Sequence, residues 1–171
     1  MTTTTTKWTV NAPAVQKFMK DSVHPLKQFL FLFMKLPGAL FFGIRLRKIS
    51  PSDSLVTVPF RWSTKNPYRS MYFATQCAAG EFATGALATM ALQDRPSTAI
   101  LVANMRAEFF KKAATTISFT CNQGAEVIET VNEVIETGEA KDITMIATGK
   151  DESGDVVSKI YITWTFKKRG K

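Results

Sequence analysis

The segment Tyr72–Leu92, YFATQCAAGEFATGALATMAL, limits the possible folds more than any other part of the chain. Its alanines, glycines and large apolar side chains leave it no polar face. An α-helix that is apolar all round must be buried all round. At about 1.5 Å per residue such a helix is roughly 30 Å long, so the rest of the chain must cover it along its length. Gly80, Gly85 and the alanines allow strand backbone to approach closely. Ser70 is the expected N-cap, and Asp94-Arg95-Pro96 the stop.

The rest of the chain supplies a sheet for that cover. Four strand-like runs follow the helix. Thr98–Phe110 and Ala113–Asn122 are separated by Lys111-Lys112 and predict one hairpin; Lys141–Lys150 and Val156–Phe166 flank Asp151–Asp155 and predict another. In the last run Val156, Ser158, Ile160, Ile162, Trp164 and Phe166 share a face. Between the hairpins, Val127, Ile128, Val131, Val134 and Ile135 keep helical spacing opposite four glutamates, and Thr137-Gly138 ends the helix. Before the central segment, Phe42–Ile49 and Ser54–Trp62 alternate like strands, with Val56, Val58, Phe60 and Trp62 on one side and Pro59 marking an edge or a bulge. Residues 12–35 have helical spacing, are divided at His24-Pro25 and end at Pro37-Gly38. The pattern predicts an α+β domain over 12–171 with a disordered tail over 1–11, the latter carrying a threonine run.

Composition excludes several chemistries. A single histidine, His24, lies outside the central segment, so a Ser-His-Asp triad or a multi-histidine metal site is not expected. Cys77 and Cys121 suggest neither a disulfide framework nor a zinc site; no metal is expected, and a reducing cytoplasm fits. The apolar run Phe29–Met34, bounded by Lys27, Lys35 and Pro37, is far short of the ~20 residues a membrane-spanning helix needs. Net charge is +8, which suits an anionic partner or, the charges being dispersed, simple solubility. The dense clusters, Arg45–Lys48 and Lys167–Lys171, lack the interleaved aromatics of a nucleic-acid surface.

Glu81 is the one charged residue in the central helix. A buried carboxylate is costly unless it is paired or hydrogen-bonded. One reading makes it a general base or nucleophile with a raised pKa. The other makes it a structural residue held by strand amides or by Arg106. Asn66, Arg69, Ser70 and Tyr72 place polar groups beside the first-turn N–H groups, either as an ordinary helix cap or where a developing oxyanion would be stabilised. Glu81 lies nine residues after Tyr72, about 13 Å along the axis at ~1.5 Å per residue. One chain's helix start and its own Glu81 are therefore too far apart to share a carbonyl, and a second protomer could supply one of the two parts. Gln76 is read as bonding a strand carbonyl or orienting a water, and Cys77 as a small hydrophobe.

Asn66-Pro67-Tyr68-Arg69-Ser70-Met71-Tyr72-Phe73-Ala74 followed by Glu81 resembles the core motif of hotdog thioesterases, in particular the phenylacetate-pathway type. In that motif an Asn precedes His-Gly-Gly, and an acidic residue stands nine positions after the His. Asn66 matches the Asn and Glu81 the acid; Tyr72 replaces the His, and Phe73 and Ala74 replace the glycines. The resemblance extends from Leu36-Pro37 to Phe166 and implies a hotdog fold, a long helix wrapped by a curved, mostly antiparallel sheet. It further implies a thioesterase acting on an acyl-coenzyme A or acyl-carrier thioester, with coenzyme A present only as part of the substrate. Glu81 would be base or nucleophile, Asn66, Ser70, Tyr72 and Phe73 would bind substrate or the oxyanion, and the assembly would be a homodimer or a dimer of dimers. The competing functions are a non-catalytic acyl-binding hotdog protein, a hotdog dehydratase or hydratase, and a membrane-surface lipid binder using residues 12–35 with the basic clusters.

Overall fold

The computed structural model describes residues 8–170. The central segment is a helix, α4 (Phe73–Ala91), and most of its side chains are buried. Six antiparallel strands curve around it: β1 (Arg45–Ile49), β2 (Ser54–Val58), β3 (Thr98–Phe109), β4 (Ile117–Cys121), β5 (Lys141–Lys150) and β6 (Val156–Lys168). Their order in the sheet is β1-β2-β4-β5-β6-β3. This is the hotdog architecture expected from the sequence. Helix and sheet come close at Gly80: a Cβ built there would stand 2.6 Å from Ile160 Cβ on β6. Ser158, Ile160, Ile162, Trp164 and Phe166 all turn inward, as their alternation requires.

Helices α1 (Pro13–Val23), α2 (Pro25–Lys35) and α3 (Pro37–Phe42) precede the sheet, and α5 (Gly124–Thr137) lies between β4 and β5. α5 ends at Gly138, whose φ of 77° gives the left-handed cap. His24 breaks the first helical run as expected, its Nδ1 accepting from the Lys27 amide. Residues 1–7, with the threonine run, lie outside the described residues. Trp8 is placed: its indole N–H donates to the Gln93 carbonyl at 2.8 Å, and the Arg95 guanidinium sits over its ring.

Four expectations need correction. The helical run ends at Lys35 as expected, but Pro37 also starts a further short helix, α3, at its N1 position, where a proline's missing N–H costs nothing, and the following strand therefore begins at Arg45 rather than Phe42. β2 stops at Val58, because Pro59 cannot donate to the ladder, and Trp62 opens a 3-10 turn with its ring in solvent. Thr98–Phe110 and Ala113–Asn122 are not hairpin partners: β3 pairs only with β6, and β4 lies between β2 and β5. Finally, Ser70 does not cap α4. Tyr72 occupies the N-cap without a side-chain bond. The β5–β6 hairpin is present as expected.

Candidate functional site

The loop before α4 is held by Asn66. Its Oδ1 accepts from the Tyr68 amide at 2.9 Å and the Ser70 amide at 3.2 Å, and its Nδ2 donates to Ser70 Oγ at 3.1 Å. The backbone closes the same turn: the Asn66 amide donates to the Ser70 carbonyl, and Arg69 takes a left-handed φ of 59°. The Met71 amide bonds the Ala113 carbonyl and the Tyr72 amide the Thr64 carbonyl, which fixes where α4 starts. Asn66 and Ser70 thus build the turn that aims the helix.

The first-turn N–H groups of Thr75 and Gln76 reach back to the Tyr72 carbonyl. Those of Phe73 and Ala74 have no acceptor among the described residues. Two free donors at a helix start, with the dipole behind them, suit a negatively charged oxygen. They adjoin a groove of about 610 Å³ lined by Asn66, Ser70, Tyr72, Phe73 and Gln76 on one side and by Phe109–Ala113 on the other. The rings of Tyr72, Phe73 and Phe109 stack edge to face across it.

All four residues expected around the oxyanion therefore meet at one groove, and Glu81 is not among its lining residues. Glu81 sits two and a half turns further along α4, half-buried, with its Oε1 3.4 Å from where a Cβ on Gly85 would be. Its carboxylate has neither an ion pair nor a hydrogen bond among the described residues; only its backbone carbonyl is bonded, by Thr84 Oγ1 at 3.0 Å. Arg106, one partner considered for it, pairs instead with Glu108 and lies over the Tyr161 ring. Burial without compensation raises the Glu81 pKa above the ordinary carboxylate value. Glu81 shares its side of the helix with Phe73, Ala74, Ala78, Phe82, Gly85 and Thr89, none of them fully buried. This stripe, at helical spacing, is the open side of a helix whose sequence reads as apolar all round.

Gln76 is buried and does contact a strand, but through a side chain rather than a carbonyl: Ser158 Oγ donates to its Oε1 at 2.9 Å. Cys77 and Cys121 are free and buried; burial pushes the Cys121 thiol up to about 11, which makes it inert. The groove wall Phe109–Ala113 carries no sequence signal as part of a site. Within it Lys111 is held by Asp151 and Asp155, while Lys112 has no acidic partner among the described residues.

The family model described as a domain of unknown function, DUF4442, matches residues 27–166. The chain belongs to the DUF4442 family. Solved structures share its fold. A Pseudomonas aeruginosa protein of unknown function, named a probable thioesterase, superposes with a TM-score of 0.69 at 20% identity, covering 87% of this chain and 99% of its own. A Chlorobaculum tepidum protein of unknown function superposes with a TM-score of 0.71 at 13% identity, over 86% of this chain and 99% of its own. A Staphylococcus aureus thioesterase, solved as a mutant, superposes with a TM-score of 0.57 at 15% identity, over 77% of this chain and 98% of its own. No curated protein matches the sequence. This DUF4442 chain thus has the hotdog fold of these structures.

Proposed function

We propose that this DUF4442 chain is a thioesterase that hydrolyses an acyl-coenzyme A or acyl-carrier thioester as a homodimer, in the cytoplasm. The observation that carries the reading is the unpaired, half-buried Glu81 carboxylate on the open stripe of α4, the same helix that offers two free N–H groups at its start. A carboxylate with a raised pKa can accept a proton from water or attack the thioester carbonyl itself. The Phe73 and Ala74 amides would receive the carbonyl oxygen as it becomes negative. Two neighbours of the same fold bear thioesterase names, one of them as probable.

The helix start and Glu81 of one chain remain about 13 Å apart at ~1.5 Å per residue. A second copy resolves this. β3 is an edge strand of twelve residues with an open ladder, and it exposes Leu101 and Met105. Such an edge is a template for pairing with another chain. A twofold pairing there would set the open stripes of two α4 helices against each other and bring one chain's Glu81 toward the other's groove. Lys112 at the groove mouth would meet coenzyme A phosphates. No metal or other cofactor enters this scheme.

The alternative is an acyl-binding protein without turnover. The aromatic pair Tyr72–Phe73, with rings 4.9 Å apart where the related motif has His-Gly, favours it. A screen of acyl-coenzyme A substrates by free-thiol release separates the two. Hydrolysis lost in Glu81→Gln by ~10²–10⁴-fold, with the folded state retained and no less stable than the parent, supports the base or nucleophile role. Hydrolysis within a few-fold of the parent in that variant would move the catalytic role elsewhere, and acyl-coenzyme A binding without turnover in the parent would favour the binding reading.

A further inference from the structure

α2 is turned the wrong way round for a helix on a water-exposed surface. Its inward side carries Gln28, buried, with Nε2 donating to the Leu46 carbonyl of β1 at 2.9 Å and to the Ser22 carbonyl at 2.6 Å. Leu32 is the other buried residue. At 100° per residue the side opposite these two carries Leu26, Leu30, Phe33 and Met34. Phe33 is 63% exposed and Met34 67%. A surface helix ordinarily does the reverse, apolar in and polar out. The apolar surface continues into α3 and the 3-10 turn, where the Phe41 ring meets Trp62 edge-on and Trp62 is 76% exposed. A contiguous apolar face of this kind marks an interaction surface.

Beside it stand three arginines without acids. Arg45 and Arg47, with Phe29, Val23 and Pro25, line a groove of about 390 Å³ between α2 and β1. Arg61 braces α3, donating to the Phe41 carbonyl at 2.6 Å. Among the described residues none of the three is in an ion pair. Burial, and then the positive charges of Arg47 and Arg61, hold the Arg45 guanidinium below its ordinary pKa. A cluster of like charges left uncompensated in the folded chain is suited to an anion supplied from outside.

We propose that the outer side of α2, with α3 and Trp62, docks on the surface of an anionic lipid bilayer, its apolar side chains among the acyl chains and Arg45, Arg47 and Arg61 on the lipid phosphates. The helix has eleven residues, about 16 Å at ~1.5 Å each, so it lies in the interface rather than crossing it. Charge complementarity selects the lipid over a second copy of the chain. Two such faces packed together would bring both arginine clusters into one seam, whereas an anionic surface neutralises them. The face borders β1, the edge of the sheet opposite β3, so an assembly through β3 leaves it free.

The test is co-sedimentation of the full chain with vesicles of phosphatidylcholine alone and of phosphatidylcholine with phosphatidylglycerol. Binding is expected to the anionic vesicles, little to the neutral ones, and less as salt rises. Arg45→Gln/Arg47→Gln should weaken it by about fivefold per arginine removed. Leu30→Gln/Phe33→Gln/Met34→Gln should weaken it tenfold or more. These three residues are exposed, so the melting curve should be kept, and it is measured for each variant. Equal binding to both vesicle types, no binding to either, or binding that survives both variants overturns the proposal. So does an apolar-face variant that changes the sedimentation velocity of the protein alone while leaving vesicle binding intact, which would assign the face to a second copy.

Discussion

Gly80→Ala is the sharpest probe of how α4 is seated. The alanine Cβ would lie 2.6 Å from both Ile160 Cβ and Cγ1 and 3.0 Å from Cγ2. A rotamer change can move the γ carbons, but Cβ is fixed by the β6 backbone. Restoring an ordinary 3.4 Å contact requires the helix to lift from the sheet by about 0.8 Å. Overpacking of a core costs about 1–3 kcal/mol, and a clash with a backbone-fixed atom belongs at the upper end. Against it stands the gain of ~0.8–1.0 kcal/mol from replacing Gly by Ala in a helix. The net loss is about 1–2 kcal/mol, a melting temperature lower by roughly 2–8 °C in a domain of this size. Gly85→Ala is the control. One turn and a half away, its Cβ meets only the edge of the Trp164 ring at 3.2 Å and the movable Glu81 carboxylate at 3.4 Å. There the propensity gain nearly offsets the contact, and stability should stay within about 0.5 kcal/mol of the parent. Thermal and urea unfolding followed by circular dichroism measure both. Gly80→Ala as stable as the parent, or no less stable than Gly85→Ala, would refute the close seating of α4 on β6.

Thr84→Val should cost about 1–3 kcal/mol in urea unfolding, because the buried Trp164 indole N–H, now 3.0 Å from Thr84 Oγ1, loses its acceptor at nearly constant volume; an unchanged midpoint would mean that the bond contributes nothing. Glu81 also sets a pH dependence. Its folded pKa is raised by burial, so the folded chain holds this proton more tightly than the unfolded chain, and the stabilising contribution is present at low pH and lost as pH rises from the ordinary value near 4.5 through the folded pKa. Glu81→Gln should therefore be more stable than the parent at neutral pH, and that excess should shrink as pH falls through the folded pKa toward 4.5 and level off below it; denaturant melts at neutral pH and at about pH 4 that show equal excess would remove Glu81 as the cause.

The amino-acid sequence by itself determined that α4 is a buried helix, because no arrangement of YFATQCAAGEFATGALATMAL offers water a polar face. It determined the β5–β6 hairpin, since both strands and their turn are contiguous in the chain. It also singled out Glu81, a lone charge among apolar neighbours, and the polar residues ahead of the helix. Which strands lie side by side was beyond it. Thr98–Phe110 and Ala113–Asn122 look like hairpin partners locally, yet β3 forms its ladder with β6 and β4 is drawn between β2 and β5. Those pairings are chosen by how the whole sheet closes over α4, an energy summed over residues far apart in sequence. For the same reason the wall Phe109–Ala113 joins the groove only in three dimensions, where the Met71 amide bonds the Ala113 carbonyl. Asn66 and Ser70 were legible as polar neighbours of the helix, but only the folded loop gives their bonds to each other. The open stripe through Glu81, and the inversion that turns Gln28 inward and Phe33 outward, were likewise decided by tertiary packing. Periodicity assigns residues to faces of a helix, and only the surrounding elements determine which face is covered.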